Sequence, residues 1–495
     1  MPAMPLTRRQ ILTHAGLGGF AALYSASRVG ADGEPSPSAL WPGLERKLHD
    51  AADRHTRELS RRSPELRLES ARGAYTADLH RGGVERGETT RRGIAPDGLL
   101  TFAVNTPAPV YVRGTLALSS PPDLRPGLRA YVLCDSTLIG APMVRTQASW
   151  GTAKVTDPAP SVLGNEPEDR IPIEPFLLPA GRHYLTVAGP HFRSAGAFQS
   201  LTLSITDRAV ETPLCRFALI TDTHVQRVGQ SEWMNIKMGG AAPAALRDTL
   251  RALASEGVSF VQHGGDMTEG ATRDEFALLS SVLRDQPLPV YGCLGNHDVY
   301  HAESRADALD LLSRHFPSGA LDYTYRHGGL RFVVLDENIS NPKTRDAKRR
   351  WLEAALQQDR KTPTIVVWHY APLNRGGVSN CGFRLEDWSK AGRESLLDLV
   401  RAAPHVVATL NGHDHWDEVN VRDGLTHLQN AAFVEWPNSY RVFRVYPDRV
   451  EWEVRQVANR GLVRQSFAAR KALSWMIATA DGDLSGSFPL QRPGV

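Results

Sequence analysis

Phe217-Ala218-Leu219-Ile220-Thr221-Asp222-Thr223-His224 reads as a short apolar strand that runs directly into a carboxylate and an imidazole. The plan recurs along the chain. Phe260-Val261-Gln262-His263 leads into Gly264-Gly265-Asp266, and Tyr291-Gly292-Cys293-Leu294 leads into Gly295-Asn296-His297-Asp298. Ile365-Val366-Val367-Trp368 ends at His369, and the run at 406–410 leads into Asn411-Gly412-His413-Asp414-His415. Between the runs, apolar residues recur at helical spacing, as in Leu246, Leu250 and Leu253, in Phe276, Leu279, Val282 and Leu283, and in Trp351, Leu352, Ala355 and Leu356. Strands alternating with amphipathic helices describe an α/β domain, and residues at strand C-termini share one sheet edge. Gly265, Gly295 and Gly412 let the backbone turn sharply and approach an ion or substrate closely. A β-branched residue at any of them is expected to misplace its neighbour.

Taken singly, each block has a plainer reading. Asp222-Thr223-His224 could be a turn with a helix cap, and Gly265-Asp266 is common turn chemistry. Gly295-Asn296-His297-Asp298 has no structural need for that order. Together, D-x-H, G-D, G-N-H-D, a lone His and G-H-x-H resemble, in this order, the calcineurin-like metallophosphoesterase family over roughly residues 214–457. The resemblance implies a metallophosphoesterase β-sandwich flanked by helices (αββα) and two metal ions. Asp222, His224 and His415 would bind one ion and Asn296, His369 and His413 the other, with Asp266 bridging both. Two ions ~3.5–4 Å apart would clamp the attacking and leaving oxygens, and a water bridging the ions, acidified by both, would be the nucleophile. His297 would stabilise phosphate or protonate the leaving group, with Asp298 as its orienting partner. Such mixed ligands suit manganese, iron or zinc and exclude a pure calcium site.

One departure narrows the resemblance. Purple acid phosphatases place a metal-binding tyrosine three residues after the bridging aspartate, where this chain has Glu269. Met267-Thr268-Glu269-Gly270, with a helix expected from about Thr272, looks instead like the cyclic-nucleotide phosphodiesterase branch, which favours diesters. The alternatives are a phosphomonoesterase or nucleotidase, and an envelope- or carbohydrate-binding protein with a residual metal domain. His263 and His301 flank the blocks; each is more readily a satisfied loop or core residue, and His301 is the better candidate for supporting the site. Arg375, in the Gly-rich stretch at 374–381, could reach a substrate phosphate or sit in a solvated loop.

Outside these blocks the 495 residues divide by pattern. Thr7-Arg8-Arg9-Gln10-Ile11-Leu12 followed by a short Gly/Ala-rich apolar stretch resembles a twin-arginine export signal, so residues 1–31 are expected to be a signal peptide and the mature protein periplasmic or extracellular. Residues 32–95 read as a connector, partly helical or disordered. Short alternating runs such as Val110-Tyr111-Val112 and Tyr184-Leu185-Thr186-Val187 predict an all-β sandwich domain over 96–210. The α/β domain spans 213–460 and closes on an alternating hairpin across Pro447-Asp448, with Val450, Trp452 and Val454 on one face and Glu451, Glu453 and Arg455 on the other. Residues 461–495 form a C-terminal extension. The near balance of 57 basic and 54 acidic residues, net +3, implies no nucleic-acid partner and leaves a small-molecule phosphate ester as the expected one. No segment has the length of a transmembrane helix. Cys134, Cys215, Cys293 and Cys381 are too scattered for a disulfide framework; Cys215 and Cys293 lie at different depths on their strands and are expected to be free thiols.

Overall fold

The computed structural model describes residues 65–68, 74–78, 94–95, 99–118, 131–140, 170–188, 198–227, 229–232, 236–338, 342–372, 396–459 and 482–492, with 462, 463, 466, 469 and 479. The expected export signal at 1–31 and the 374–381 stretch with Arg375 lie outside them. Two sheets face each other in the C-terminal half. In one, Cys215–Ile220 lies between Ser439–Val445, antiparallel, and Phe260–His263, parallel, with Val290–Tyr291 at the edge. The other orders Tyr323–His327, Leu330–Val334, Thr364–Val367, Val406–Asn411, Leu425–Gln429 and Glu418–Arg422.

Their inner faces meet around Phe217, which stacks between Phe260 and Phe443 with centroids 5.1 and 4.4 Å away. Phe332 of the opposite sheet meets it edge-on at 5.4 Å. Strand side chains alternate between two cores. Phe332, Val334, Ile365 and Val367 share the inner one with Phe217, while Val333, Val366 and Trp368 pack outward with Leu352 and Leu396 of the helices Pro342–Gln358 and Leu396–Arg401. Burial on both faces is why these runs are continuously apolar. Helices Ala242–Ser255 and Arg273–Leu283 connect the parallel strands of the first sheet and bury Leu246, Leu250, Leu253, Phe276 and Leu279. The second is opened by a capping box between Thr272 and Glu275. This is the expected α/β sandwich flanked by helices.

In the N-terminal half the described residues form strands alone. Ala74–Asp78, Phe198–Ile205, Val110–Leu118 and Arg170–Leu178 make an antiparallel sheet. Across a core of Phe102, Val112, Leu116, Leu185 and Leu203 it faces strands including Leu99–Thr106, Gly181–Ala188 and Tyr131–Cys134. Three strands come from the segment read as a connector: Glu65–Arg67, Ala74–Asp78 and Ile94–Ala95. Strands of two to five residues at the margins of a sheet are too short for periodicity to reveal, and it is pairing with longer neighbours that defines them.

The two halves are continuous. Thr137 pairs with Arg455, which joins Thr137–Gly140 to Arg449–Gln456 and makes one sheet of twelve strands among the described residues. Within the C-terminal extension, Ser485–Pro489 pairs antiparallel with the same Arg449–Gln456 strand, and Glu174 accepts hydrogen bonds from Gly482 N at 2.9 Å and Ser485 N at 2.8 Å. The hairpin's polar face is not solvated: Glu451 and Glu453 are 1% and 3% exposed. Tyr111 donates to Glu451 at 3.0 Å, Arg208 pairs with the same carboxylate, and Arg444 donates to Glu453 at 2.6 Å. Cys134, Cys215 and Cys293 are free thiols. Among the described residues no helix is long and apolar enough to cross a membrane.

Candidate metal centre

Five residues expected to hold metal have left-handed backbone: Asp222 (φ 53°), His224 (40°), Asp266 (50°), His413 (77°) and His415 (64°). For residues with a side chain this conformation costs on the order of 1 kcal/mol each, and it persists where the surroundings over-determine it. Here the loops after the first two strands are stitched together by Asp222 N to Gly265 O at 2.9 Å, His224 N to Asp266 O at 3.0 Å and Val225 N to Met267 O at 2.9 Å. The close approach expected at the glycines is present. A Cβ on Gly295 would lie 2.1 Å from Asp266 Oδ1, and one on Gly412 would lie 2.0 Å from Thr221 Oγ1.

The loops bring the predicted residues together in two buried groups, Asp222, His224, Asp266 and His415, and Asp266, His369 and His413; Asp266 belongs to both. His415 Nε2 lies 3.2 Å from His224 Nε2 and 3.2 Å from Asp222 Oδ1. His369 Nε2 lies 3.2 Å from Asp266 Oδ2, and His413 Nδ1 lies 3.0 Å from Asn296 Oδ1. Atoms that share one ion at ~2.1 Å stand ~3.0–3.4 Å apart at angles between square and tetrahedral. The observed spacings match.

Orientation matches as well. His369 Nδ1 donates to Gly264 O at 2.9 Å, which leaves the Nε2 lone pair aimed at Asp266. His224 and His415 turn their Nδ1 atoms to the carboxylates of Glu269, at 2.7 Å, and Glu435, at 3.1 Å. Their Nε2 atoms then face each other, an arrangement that a cation between them stabilises. Burial opposes charge on Asp222 and Asp266, yet the imidazoles of His415 and His369 hold both carboxyls well below the usual range. Burial also disfavours imidazolium, but Asp266 pushes His369 up to about 10 and Glu435 with Asp222 pushes His415 up to about 10. Burial wins at His224, lowered to about 4, and at His413, lowered to about 3. The carboxylates therefore favour positive charge at His369 and His415, while His224 and His413 are held neutral.

His297 stands beside it, its ring edge-on to His224 with centroids 4.7 Å apart. Its Nδ1–H donates to the main-chain oxygen of Glu269 at 2.7 Å, which leaves Nε2 as the atom available to a substrate. The expected pairing of His297 with Asp298 is not formed. Asp298 follows a tight turn, and its buried carboxylate folds back to accept from Gly295 N at 2.9 Å, Met267 N at 2.9 Å, Thr268 N at 2.8 Å and Thr268 Oγ1 at 2.8 Å. It ties two site loops together and does not orient the imidazole. The flanking histidines exchange places: His301 is exposed, whereas buried His263 accepts from Gly265 N at 3.2 Å and contacts Thr223 Oγ1 at 3.0 Å. Burial pushes His263 down to about 3, so it supports the centre as a neutral group.

Sequence reasoning noted Glu269 only as a departure and missed Glu435 and Lys237. Lys237 Nζ lies 2.8 Å from Glu269 Oε2 and is buried. For Glu435 and Lys237 there was no local signal, because neither sits in a ligand block.

With the geometry established, sequence comparison is decisive for residues 215–417, which match the family model described as calcineurin-like phosphoesterase. These residues form a calcineurin-like phosphoesterase domain. The chain is 22% identical over 203 residues to a probable glycerophosphodiester phosphodiesterase of Arcobacter nitrofigilis, covering 40% of this chain and 70% of that protein. It is 21% identical over 222 residues to a 3′,5′-cyclic-nucleotide phosphodiesterase of Nostoc sp., covering 43% and 77%. Among solved structures, a dimetal phosphatase from Danio rerio aligns with a TM-score of 0.40 at 17% identity, covering 49% of this chain and 96% of that one. The domain is a metal-dependent phosphoester hydrolase, and its buried His/Asp cluster is spaced to hold metal.

Proposed function

We propose that the chain is an exported phosphodiesterase with a binuclear metal centre that hydrolyses a small-molecule phosphodiester. The observation that carries this reading is the pair of buried carboxylate–imidazole groups that share Asp266. Asp222, His224 and His415 would hold one ion, Asn296, His369 and His413 the other, and Asp266 both. Two bound divalent ions supply Lewis-acid polarisation of the phosphate and acidify water. The chain's own groups do the rest. The carboxylates of Asp222 and Asp266 neutralise cationic charge, and the carbonyl and carboxylate anchors behind His369, His224 and His415 keep their lone pairs aimed inward. His297, its Nδ1–H tied to Glu269, would act as the imidazolium, bonding a phosphate oxygen through Nε2–H or passing that Nε2 proton to the departing alkoxide and returning to the neutral ring.

Diester preference is supported by Met267-Thr268-Glu269-Gly270 and by the two relatives named as diesterases. The test is the ratio of hydrolysis rates on a chromogenic phosphodiester and its monoester with manganese-loaded protein, and His297→Ala as control. A ratio well above one is expected; a ratio below one would replace the reading by a monoesterase. Export rests on Thr7-Arg8-Arg9-Gln10 and the short apolar stretch that follows. Replacing Arg8 and Arg9 together with lysine should retain the protein in the cytoplasmic fraction, and unchanged fractionation would sink that part.

A further inference from the structure

Glu269 stands where two histidines of different duty meet a buried ammonium. Its Oε2 lies 2.7 Å from His224 Nδ1 and 2.8 Å from Lys237 Nζ, while its carbonyl accepts the Nδ1–H of His297 at 2.7 Å. Lys237 is 3% exposed, and a buried ammonium is tolerated only beside a counter-ion, which Glu269 supplies. His224, Glu269 and His297 are also spaced to hold a cation. The Lys237 ammonium already fills that role, and a third metal would sit against a desolvated like charge. The backbone is equally constrained, since Glu269 N donates to Val225 O at 3.3 Å and the bridge Val225–Thr268 runs beside it.

We propose that Glu269, locked in place by Lys237, is a positioning residue that fixes the tautomer and direction of His224 toward the metal centre and seats His297 beside it. The inference rests on the binuclear reading above. A carboxylate at Nδ1–H leaves the lone pair on Nε2 and raises its basicity as a ligand. Lys237 prevents the Glu269 side chain from rotating toward an ion itself, so the carboxylate acts through His224. Because the contact reaches one of the two groups of ligands, its loss should weaken one ion site and spare the other. A general structural role would loosen both.

The experiment is equilibrium titration of metal-stripped, full-length protein with manganese, followed by bound manganese per chain and by melting temperature. Wild type should take up two ions. Glu269→Ala should weaken one of them ~10- to 100-fold and leave the other at wild-type affinity. Glu269→Gln, which keeps a polar group beside His224 Nδ1 without the charge, should fall between, and Lys237→Met should shift the same site in the same direction. Two wild-type affinities in Glu269→Ala, or equal weakening of both sites together with a lowered melting temperature, would overturn the proposal. Wild type that binds no manganese would instead overturn the binuclear reading beneath it, before any variant is compared.

Discussion

Gly265→Ala is the substitution whose effect the structure sets most directly. Gly265 has φ +103°, and a Cβ there would lie 2.4 Å from His369 Nδ1 and 2.8 Å from its Cγ. Backbone on both sides is fixed by the ligand loop, so the imidazole must retreat by about 1 Å to regain an ordinary contact. That retreat stretches the 2.9 Å hydrogen bond from Nδ1 to Gly264 O and carries Nε2 away from Asp266 Oδ2, now 3.2 Å distant. Misplacement of a reacting or ligating group by about 1 Å can cost about 100-fold in rate. The backbone strain itself adds roughly 1–2 kcal/mol. Gly229 separates the two effects: its φ is +102°, with nothing among the described residues within 4 Å of a Cβ. Gly229→Ala should therefore lower the melting temperature modestly and leave activity near wild type. Gly265→Ala should show a similar strain effect, with about 100-fold lower diester hydrolysis and reduced manganese content. The assay measures rate, bound manganese and melting temperature on both variants in parallel. Gly265→Ala with activity within a few-fold of wild type, or Gly229→Ala equally impaired, would refute the argument that the collision with His369 is what the glycine avoids.

Three further outcomes follow from the same geometry. His297→Ala should lower kcat by roughly 10²- to 10⁴-fold while bound manganese stays unchanged, because its Nδ1–H is taken by the Glu269 carbonyl and the ring belongs to neither Asp266-containing group; loss of metal in that variant would assign it a ligand's role instead. Asp298→Ala leaves Gly295, Met267 and Thr268 N–H groups without their acceptor and should cost about 3 kcal/mol or more in denaturant unfolding; a stability unchanged from wild type would contradict its role as a loop tie. Burial raises the Glu453 pKa, but Arg444 and Arg455 outweigh it and pull it from 4.5 to about 2. A depressed folded value means stability present above pH 4.5 and lost as pH falls toward 2, about 3 kcal/mol in all and about 2 kcal/mol between pH 7 and pH 3. Glu453→Gln should flatten that part of the pH dependence of unfolding, and an unchanged slope would exclude the pair as its source.

The apolar runs ending in Asp222, Asp266, Asn296, His369 and His413 were legible in the sequence because strand formation and ligand placement are both local. A four- to six-residue apolar run followed by a glycine or a carboxylate marks a strand and its loop without reference to the rest of the chain. Asp266's position between two groups was implied by resemblance, and the structure places it in both. What the blocks could not show is what stands behind them. Glu435 reaches His415 and Lys237 reaches Glu269 from segments outside every ligand block, across distances that only folding closes. Asp298 was assigned to His297 because the two are adjacent, but the turn sends their side chains apart and the carboxylate satisfies backbone donors. The alternating hairpin was readable, yet its Glu451–Glu453 face was ambiguous. Alternation says that two faces differ, while burial depends on what covers them. Here Tyr111 and Arg208 of the all-β half cover the acidic face and neutralise part of it. The short strands Glu65–Arg67 and Ala74–Asp78 likewise exist through the longer strands they pair with. Local periodicity and turn chemistry determined the elements and their ligands; long-range pairing of charge and backbone decided how those ligands are aimed.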